Sequence, residues 1–343
     1  MRVPRSRPDT PVTLKDIASE LGVSITTVAR AMKDGHKIGA ETVTRVRDTA
    51  ERMGYVRNLD GVKLRTGRTF AAMAFLSFSN EEEIGDSGSV GLLNGIHHRF
   101  AGTDYAVRAV PVTMGDVALD RLQDVVRGRG ADGIILDHTE LQDPRVRYLL
   151  EAGVPFVTFG RTELLSDHAY FDIDNEHAAW QGTTALLDAG HTRIALLDGD
   201  RRYTFVRQRE RGYARALGDR GLIPEPGLQV HGELAADTAR AAGRVLAERG
   251  ADGIVCVNEL SFLGARAGVR DAIGVAAGAV GFSVRTGTNL GDYLGTPIHA
   301  SHFSRVAAGW MLADLLLKRI DGASASECQI IERPCLRSPK DTA

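Results

Sequence analysis

Apolar residues recur at helical spacing close to the amino terminus. Leu14, Ile17, Ala18 and Leu21 fall at i, i+3, i+4 and i+7, which gathers them on one helical face. Thr13 with Asp16 three residues on is a capping-box start. Gly22 is a stop, because glycine enters the left-handed region at little cost. A second helix is predicted over Ile25–Lys33 with Ser24 as its N-cap. Val28, Ala31 and Met32 then face inward, and Ile25, Thr26, Ala29, Arg30 and Lys33 face out. A third helix fits 40–53, with Val43, Val46, Ala50 and Met53 inward and Gly54 at its end. Two short helices joined by a glycine turn and braced by a third make a helix-turn-helix.

From residue 70 the pattern changes. Strand-like apolar runs stand at Ala71–Phe78, Val107–Val112, Gly133–Asp137, Phe156–Phe159, Ile194–Asp198, Gly253–Val257 and Val280–Phe282. Between and after them lie helical stretches near Val90–Ala101, Val117–Arg127, Arg145–Ala152, Glu176–Ala189, Phe205–Arg220, Ala236–Arg249 and Ser304–Arg319. That alternation predicts parallel sheets with helices on both faces, an α/β body behind an all-α head. RGADGI occurs at Arg129–Ile134 and again at Arg249–Ile254, and LLEAG at 149–153 is echoed by LLDAG at 186–190. Two lobes built alike would produce such echoes, and so would common helix-to-strand turn chemistry.

Charge separates the same two regions. Residues 1–68 hold 14 Lys and Arg against 8 Asp and Glu, a net of +6, and the remainder carries −8. A small basic head on a large acidic body suits a polyanion-binding module attached to something else. The outward residues of the second helix are those able to reach base edges in a major groove. Arg30 is suited to guanine and Thr26 to a thymine, whereas Lys33, Lys37 and Arg45 suit phosphates, which position without specifying.

Other features exclude function classes. No run of about 18 apolar residues is present, so no membrane span is expected. The basic start MRVPRSRPDT leads into no apolar region with a cleavage site, so no signal peptide is read. Cys256, Cys328 and Cys335 lie far apart without a CxxC, which argues against a disulfide framework or zinc site and fits a reducing cytoplasm. Gly85-Asp86-Ser87-Gly88 has no accompanying catalytic context, and no P-loop pattern exists. Adjacent His97 and His98 diverge by about 100° on a helix, and His299 and His302 read as polar residues near the cleft or core. No enzyme activity, cofactor or metal is expected.

The stretch from Val12 through Asn58 resembles the N-terminal domain of the LacI/GalR family of bacterial regulators. The matching positions are Val12-Thr13, Asp16-Ile17-Ala18, Gly22-Val23-Ser24, Thr27-Val28, Arg30, Gly54-Tyr55 and Asn58. The resemblance implies a helix-turn-helix over 1–57, a hinge over 58–68 and a two-lobed, periplasmic-binding-protein-like domain over 69–343. It adds Thr13, Ser24, Thr27, Tyr55 and Asn58 to the DNA-facing set and makes Leu64 a minor-groove wedge. The family usually has Ala where Gly61 stands and often Arg or Gln at Val62. Glycine costs about 1 kcal/mol of helix relative to alanine, so the hinge is expected to fold less readily.

In open α/β sheets ligands bind beyond the carboxyl ends of strands. Those ends point to Ser77–Asn80, Asp137–His138, Phe159–Arg161, Asp198–Arg201, Asn258–Glu259 and Phe282–Ser283. The segment Gln208–Leu217 resembles the family's RxxGY motif, which puts Arg209 where the family contacts effector. Asn258 and the Asp174-Asn175 step match further family elements. Ser283 stands where the family commonly places an aspartate, so a neutral hydroxyl replaces a strong acceptor. Ser79, Arg161, Asp174, Arg209, Asn258 and Ser283 form the expected effector set. Arg161 reads either as a second cation for a modified or acidic sugar or as half of a surface ion pair. The resemblance implies a cytoplasmic homodimer that binds double-stranded, pseudo-palindromic operator DNA and a sugar-like effector. An acidic or non-sugar corepressor is the alternative, and a solute-binding protein would lack residues 12–58. The tail from Glu332 has two prolines and no leucine heptads, so a dimer rather than a coiled-coil tetramer is expected.

Overall fold

The computed structural model describes residues 11–33, 37–56, 59–77, 87–112, 118–232, 235–287 and 297–338. The chain divides into two compact units, Met1–Gly67 and Arg68–Ala343.

In the first unit, helices α1 (Leu14–Leu21), α2 (Ile25–Lys33) and α3 (Ala40–Arg52) follow the predicted spans to within a residue. The Asp16 carboxylate accepts from the Thr13 amide at 2.8 Å and from its hydroxyl at 2.7 Å. These bonds hold Asp16 below the ordinary carboxylate range. Gly22 ends α1 at φ 66, in the left-handed region. Ile17, Ala18, Val28, Ala31, Val46 and Ala50 form the buried core of the head, with Met32, Val43, Met53 and Tyr55 packed around it. The segment read as a hinge contains a fourth helix, α4 (Leu59–Thr66).

The second unit is built from two six-stranded sheets. In chain order the strands are β1 (Ala71–Ser77), β2 (Ala106–Val112), β3 (Gly133–Leu136), β4 (Phe156–Phe159), β5 (Tyr170–Ile173), β6 (Ile194–Asp198), β7 (Gln229–His231), β8 (Gly253–Cys256), β9 (Gly281–Thr286), β10 (His299–His302), β11 (Gln329–Glu332) and β12 (Cys335–Arg337). One sheet runs β11-β5-β4-β3-β1-β2 and the other β12-β10-β9-β8-β6-β7. The two orders are equivalent strand for strand. All pairings are parallel except β10 with β12, which is antiparallel and departs from the expectation of purely parallel sheets.

The helices are α5 (Ser87–Phe100), α6 (Leu119–Arg127), α7 (Pro144–Ala152), α8 (Asn175–Asp188), α9 (Thr204–Gly218), α10 (Ala236–Glu248), α11 (Glu259–Ile273) and α12 (Arg305–Ile320). After β5 the chain crosses into the second lobe as α8. After β10 it returns as α12, which packs on α5 and β4. The first lobe buries Leu76, Ile135, Phe171 and Leu312, and the second buries Leu197, Ile254, Phe262 and Phe282.

The RGADGI echo has a mechanical meaning. Asp132 accepts from the Thr69 amide and hydroxyl and the Phe70 amide, at 2.7–2.9 Å, just before β1. Asp252 accepts from the Thr192 amide and hydroxyl and the Arg193 amide, just before β6. Each aspartate therefore pins the start of the strand beside its own. The LLEAG and LLDAG echo joins α7 and α8, which are not equivalent in the two lobes, and reflects helix termination alone.

The strand expected at Val280–Phe282 runs on to Thr286. Strands β5, β7, β10, β11 and β12 and helix α11 lie outside the expected set. These strands are three or four residues long, and the Gly264 and Gly268 in α11 dilute its apolar face.

Candidate functional site

The exposed face of α2 presents Ile25, Thr26, Ala29 and Arg30, while Val28 and Ala31 point into the core. Ser24 caps this helix: its hydroxyl accepts from the Thr27 amide at 3.0 Å and lies 2.8 Å from the Thr27 hydroxyl. Thr13 serves the same end of α1. Ser24, Thr27 and Thr13 thus orient the helices, and the open row of α2 is left to Ile25, Thr26, Ala29 and Arg30. Tyr55 packs against the head core. Lys37 is exposed in the turn after α2, with φ 62. Leu64 stands out of α4 with 90% of its surface exposed, a large apolar side chain with no packing role within the head. Asn58, Ser79 and the Lys33 side chain lie outside the described residues.

Between the lobes, a polar chain runs through the first crossover. Arg161 Nε donates to Asp172 Oδ2 at 2.7 Å, and Asn175 Nδ2 donates to Asp172 Oδ1 at 3.3 Å. Arg209 Nη1 reaches Asn175 Oδ1 at 3.5 Å, and Arg209 Nε donates to Asp198 Oδ2 at 2.8 Å. The second guanidinium bond to Asp198 makes the pair bidentate. Burial pushes the Asp172 carboxyl up, against the opposing pull of Arg161. The chain joins β5 of the first lobe to β6 and α9 of the second through one asparagine at the start of α8.

A second seam is aromatic. Glu140 forms an isolated antiparallel bridge with Tyr203, and the Thr204 amide donates to the Thr139 carbonyl at 3.1 Å. His138 sits edge-on to Tyr203 and Phe205, with ring centroids 5.4 and 5.5 Å away. Its Nδ1 is 3.2 Å from Asp137 Oδ2. Asp137 is buried, which would raise its pKa. The His138 ring, the Ser77 amide and Arg145 nevertheless hold it below the ordinary carboxylate range. The stability it contributes is therefore present above about pH 4 and lost as pH falls through its folded value. We expect Asp137→Asn to show a shallower fall in thermal midpoint between pH 5 and pH 3 than the parent chain; parallel slopes would remove Asp137 from the acid transition.

The expected effector residues separate on inspection. Arg161 and Asp174 both line a cavity of about 450 Å³ with Glu176, Trp180, Arg215 and Arg333. Arg161 is paired, but with the buried Asp172 rather than with a partner at the surface. Arg209 is buried at 3% exposure with its fork on Asp198. Asn258 caps α11: its side-chain oxygen accepts from the Ser261 amide at 2.7 Å, and its backbone amide donates to the Ser261 hydroxyl at 3.2 Å. Ser283 is the third residue of β9, not the one beyond its end, and packs against Gly182 of α8. The later end of β9 brings Arg285 and Thr286 to the carboxyl edge instead. Arg285, Arg305, Tyr203 and Phe205 lie outside the expected set; carrying the apolar alternation on from Phe282 through Val284 to Thr286 would have found the first.

Two family models match. Bacterial regulatory proteins of the lacI family are matched over residues 13–58, and the family of periplasmic binding proteins and sugar binding domains of the LacI family over residues 83–285. The chain belongs to the LacI family. It is a DNA-binding transcriptional regulator of that family, with the regulator head and the two-lobed body in one polypeptide. Among its LacI-family relatives, the HTH-type transcriptional regulator RafR of Escherichia coli is 30% identical over 337 residues, covering 94% of this chain and 96% of the relative. CelR of Thermobifida fusca is 26% identical, covering 93% and 95%. Among solved structures, the lac repressor dimer bound to operator and an anti-inducer superposes with a TM-score of 0.75 at 19% identity, over 97% of this chain and 100% of that one. The CelR–cellobiose complex superposes with a TM-score of 0.71 at 24% identity, over 95% and 98%. Among the described residues no helix is long and apolar enough to cross a membrane, and no cluster of His, Cys, Asp and Glu is arranged to hold a metal.

Proposed function

We propose that this regulator is a homodimeric, cytoplasmic repressor of a catabolic operon, released or engaged by a small polyhydroxylated effector held between its lobes. Residues 1–57 read the operator, 58–68 form the hinge and 69–343 bind effector and partner. The observation that carries the reading is the exposed row on α2, held by capped helices, in the same chain as a two-lobed body. Ile25, Thr26, Ala29 and Arg30 face base edges, and Lys33, Lys37, Thr13, Ser24, Thr27, Tyr55 and Asn58 set the head on phosphates. Leu64, fully presented on α4, is the minor-groove wedge. The resolved complexes of relatives, one with operator and one with cellobiose, support both halves.

Effector binding then shifts the lobes, with a coupling of about 1–3 kcal/mol to operator affinity. Selection of duplexes from a random pool at stated salt is expected to recover a pseudo-palindrome. Arg30→Ala is expected to cost about 1–3 kcal/mol, roughly 5- to 150-fold, and to flatten preference at one position of each half-site. Uniform weakening across all sequences would move Arg30 to the phosphate class, and no enriched site for the parent chain would overturn the reading.

A further inference from the structure

At the carboxyl end of β9 the cleft holds two arginines that, among the described residues, form no ion pair with a carboxylate. Arg285 is partly buried, its Nε donates to the Val257 carbonyl at 3.1 Å, and its guanidinium carbon lies 5.1 Å from the centroid of the Phe303 ring. Arg305, the first residue of α12, places its guanidinium carbon 5.2 Å from the same ring. Its Nε is buried without a hydrogen-bond partner. The Arg305 side chain passes directly over the backbone of Gly287: a Cβ built there would fall 2.6 Å from Nε. Arg285 on the second lobe and Arg305 at the return into the first are thus brought to one place.

The nearby anions are committed elsewhere. Asp198 is held by Arg209, and Glu259 Oε1 accepts from the Gly287 amide at 2.8 Å. Among the described residues neither Arg285 nor Arg305 has a carboxylate within ion-pair distance. Burial, then repulsion from Arg209 and Arg305, pushes Arg285 down to about 9. An unanswered, partly buried guanidinium is costly, and one aromatic face offsets only part of that cost. Such an arrangement is met where the missing counter-ion belongs to a ligand. Arg161, the cation singled out in the sequence, does not serve, because Asp172 neutralises it.

We propose that Arg285 and Arg305 form an anion subsite at the end of β9 and that the effector is an acidic polyhydroxylated molecule, a sugar acid or a sugar phosphate. The second half of the proposal rests on the cleft being the regulatory site. Planar guanidinium forks suit carboxylate and phosphate alike.

The full chain is titrated with inorganic phosphate against chloride at fixed ionic strength, following the thermal midpoint. Glucose, glucuronate and glucose 6-phosphate are titrated calorimetrically and in an operator-release assay. Phosphate is expected to raise the midpoint. Arg285→Gln and Arg305→Gln are each expected to weaken that response at least 10-fold, and Arg285→Lys to retain part of it. Because it removes an unanswered cation, Arg285→Gln is also expected to leave the ligand-free midpoint unchanged or higher; a structural role would lower it. One acidic sugar is expected to bind at least 10-fold more tightly than glucose, and which one does separates carboxylate from phosphate. A phosphate response no larger than that of chloride, or one that survives in the double variant, overturns the subsite. Binding and release by glucose that the double variant leaves intact overturns the acidic effector while the repressor reading stands. An arginine-dependent phosphate response with no compound altering operator affinity upholds the subsite and removes the regulatory reading.

Discussion

Asp198→Ala is expected to destabilise the body by about 3–5 kcal/mol, the usual cost of removing one partner from a buried ion pair. Asp198 is fully buried and Arg209 is 3% exposed. Both Asp198 oxygens accept from the guanidinium, and Oδ1 also accepts from the Gly199 amide at 2.6 Å. The guanidinium carbon of Arg209 lies 4.8 Å from the centroid of the Phe205 ring and its remaining nitrogen reaches Asn175, so among the described residues no other carboxylate pairs with it. The cost comes from leaving a desolvated cation without its counter-charge rather than from the bond itself. The double variant Asp198→Leu with Arg209→Met should therefore recover most of the loss, since it removes both charges and keeps apolar volume. Urea melts of the two single variants and the double variant measure the coupling. A loss below about 1 kcal/mol for Asp198→Ala would mean that water reaches the pair.

Ile17→Ala is expected to unfold the head and abolish operator binding while small-molecule binding by the body persists. Ile17 is fully buried among Ala18, Val28, Ala31, Val46 and Ala50, a core composed largely of alanine and valine. Truncating a buried isoleucine costs about 2–5 kcal/mol. A unit of this size has roughly 3–8 kcal/mol to lose, at about 0.05–0.15 kcal/mol per residue. The expected readout is a low-temperature helical transition separated from the melting of the body. Operator affinity should fall at least 100-fold at 37 °C. Ile17→Val, which removes one methylene, should cost about 0.5–1.5 kcal/mol and leave operator binding measurable. A single cooperative melt of the Ile17→Ala chain at the parent temperature would show that the head core tolerates the cavity.

The two units differ in how much of their structure is legible in the sequence. In the head every determinant is local. The i, i+3, i+4 apolar spacing, the Thr13–Asp16 cap and the left-handed Gly22 each act within one turn of helix, and they suffice to say which side of α2 faces out. In the body the alternation was legible where a buried strand carries a clear apolar run, whereas the three- and four-residue strands β5, β7, β10, β11 and β12 were not. The RGADGI repeat marked equivalent places in the two lobes, and the structure supplied its mechanism, an aspartate that pins the neighbouring strand in each.

The amino-acid sequence by itself determined the all-α head, the α/β body, the pseudo-repeat of the two lobes and the outward row Ile25, Thr26, Ala29 and Arg30. Only the tertiary structure decided which of the charged residues are free. Arg161, Arg209 and Arg285 look alike in sequence, each near the end of a strand or on a motif. Asp172 answers the first, Asp198 answers the second, and an aromatic ring and a carbonyl face the third. Pairing of this kind joins residues 11 positions apart in two cases, and in the other it brings Arg285 to Phe303 at the return crossing between lobes. The energy of a buried charge depends on the few ångströms around it. That neighbourhood is set by how strands align and where chains cross, which periodicity along the sequence does not encode.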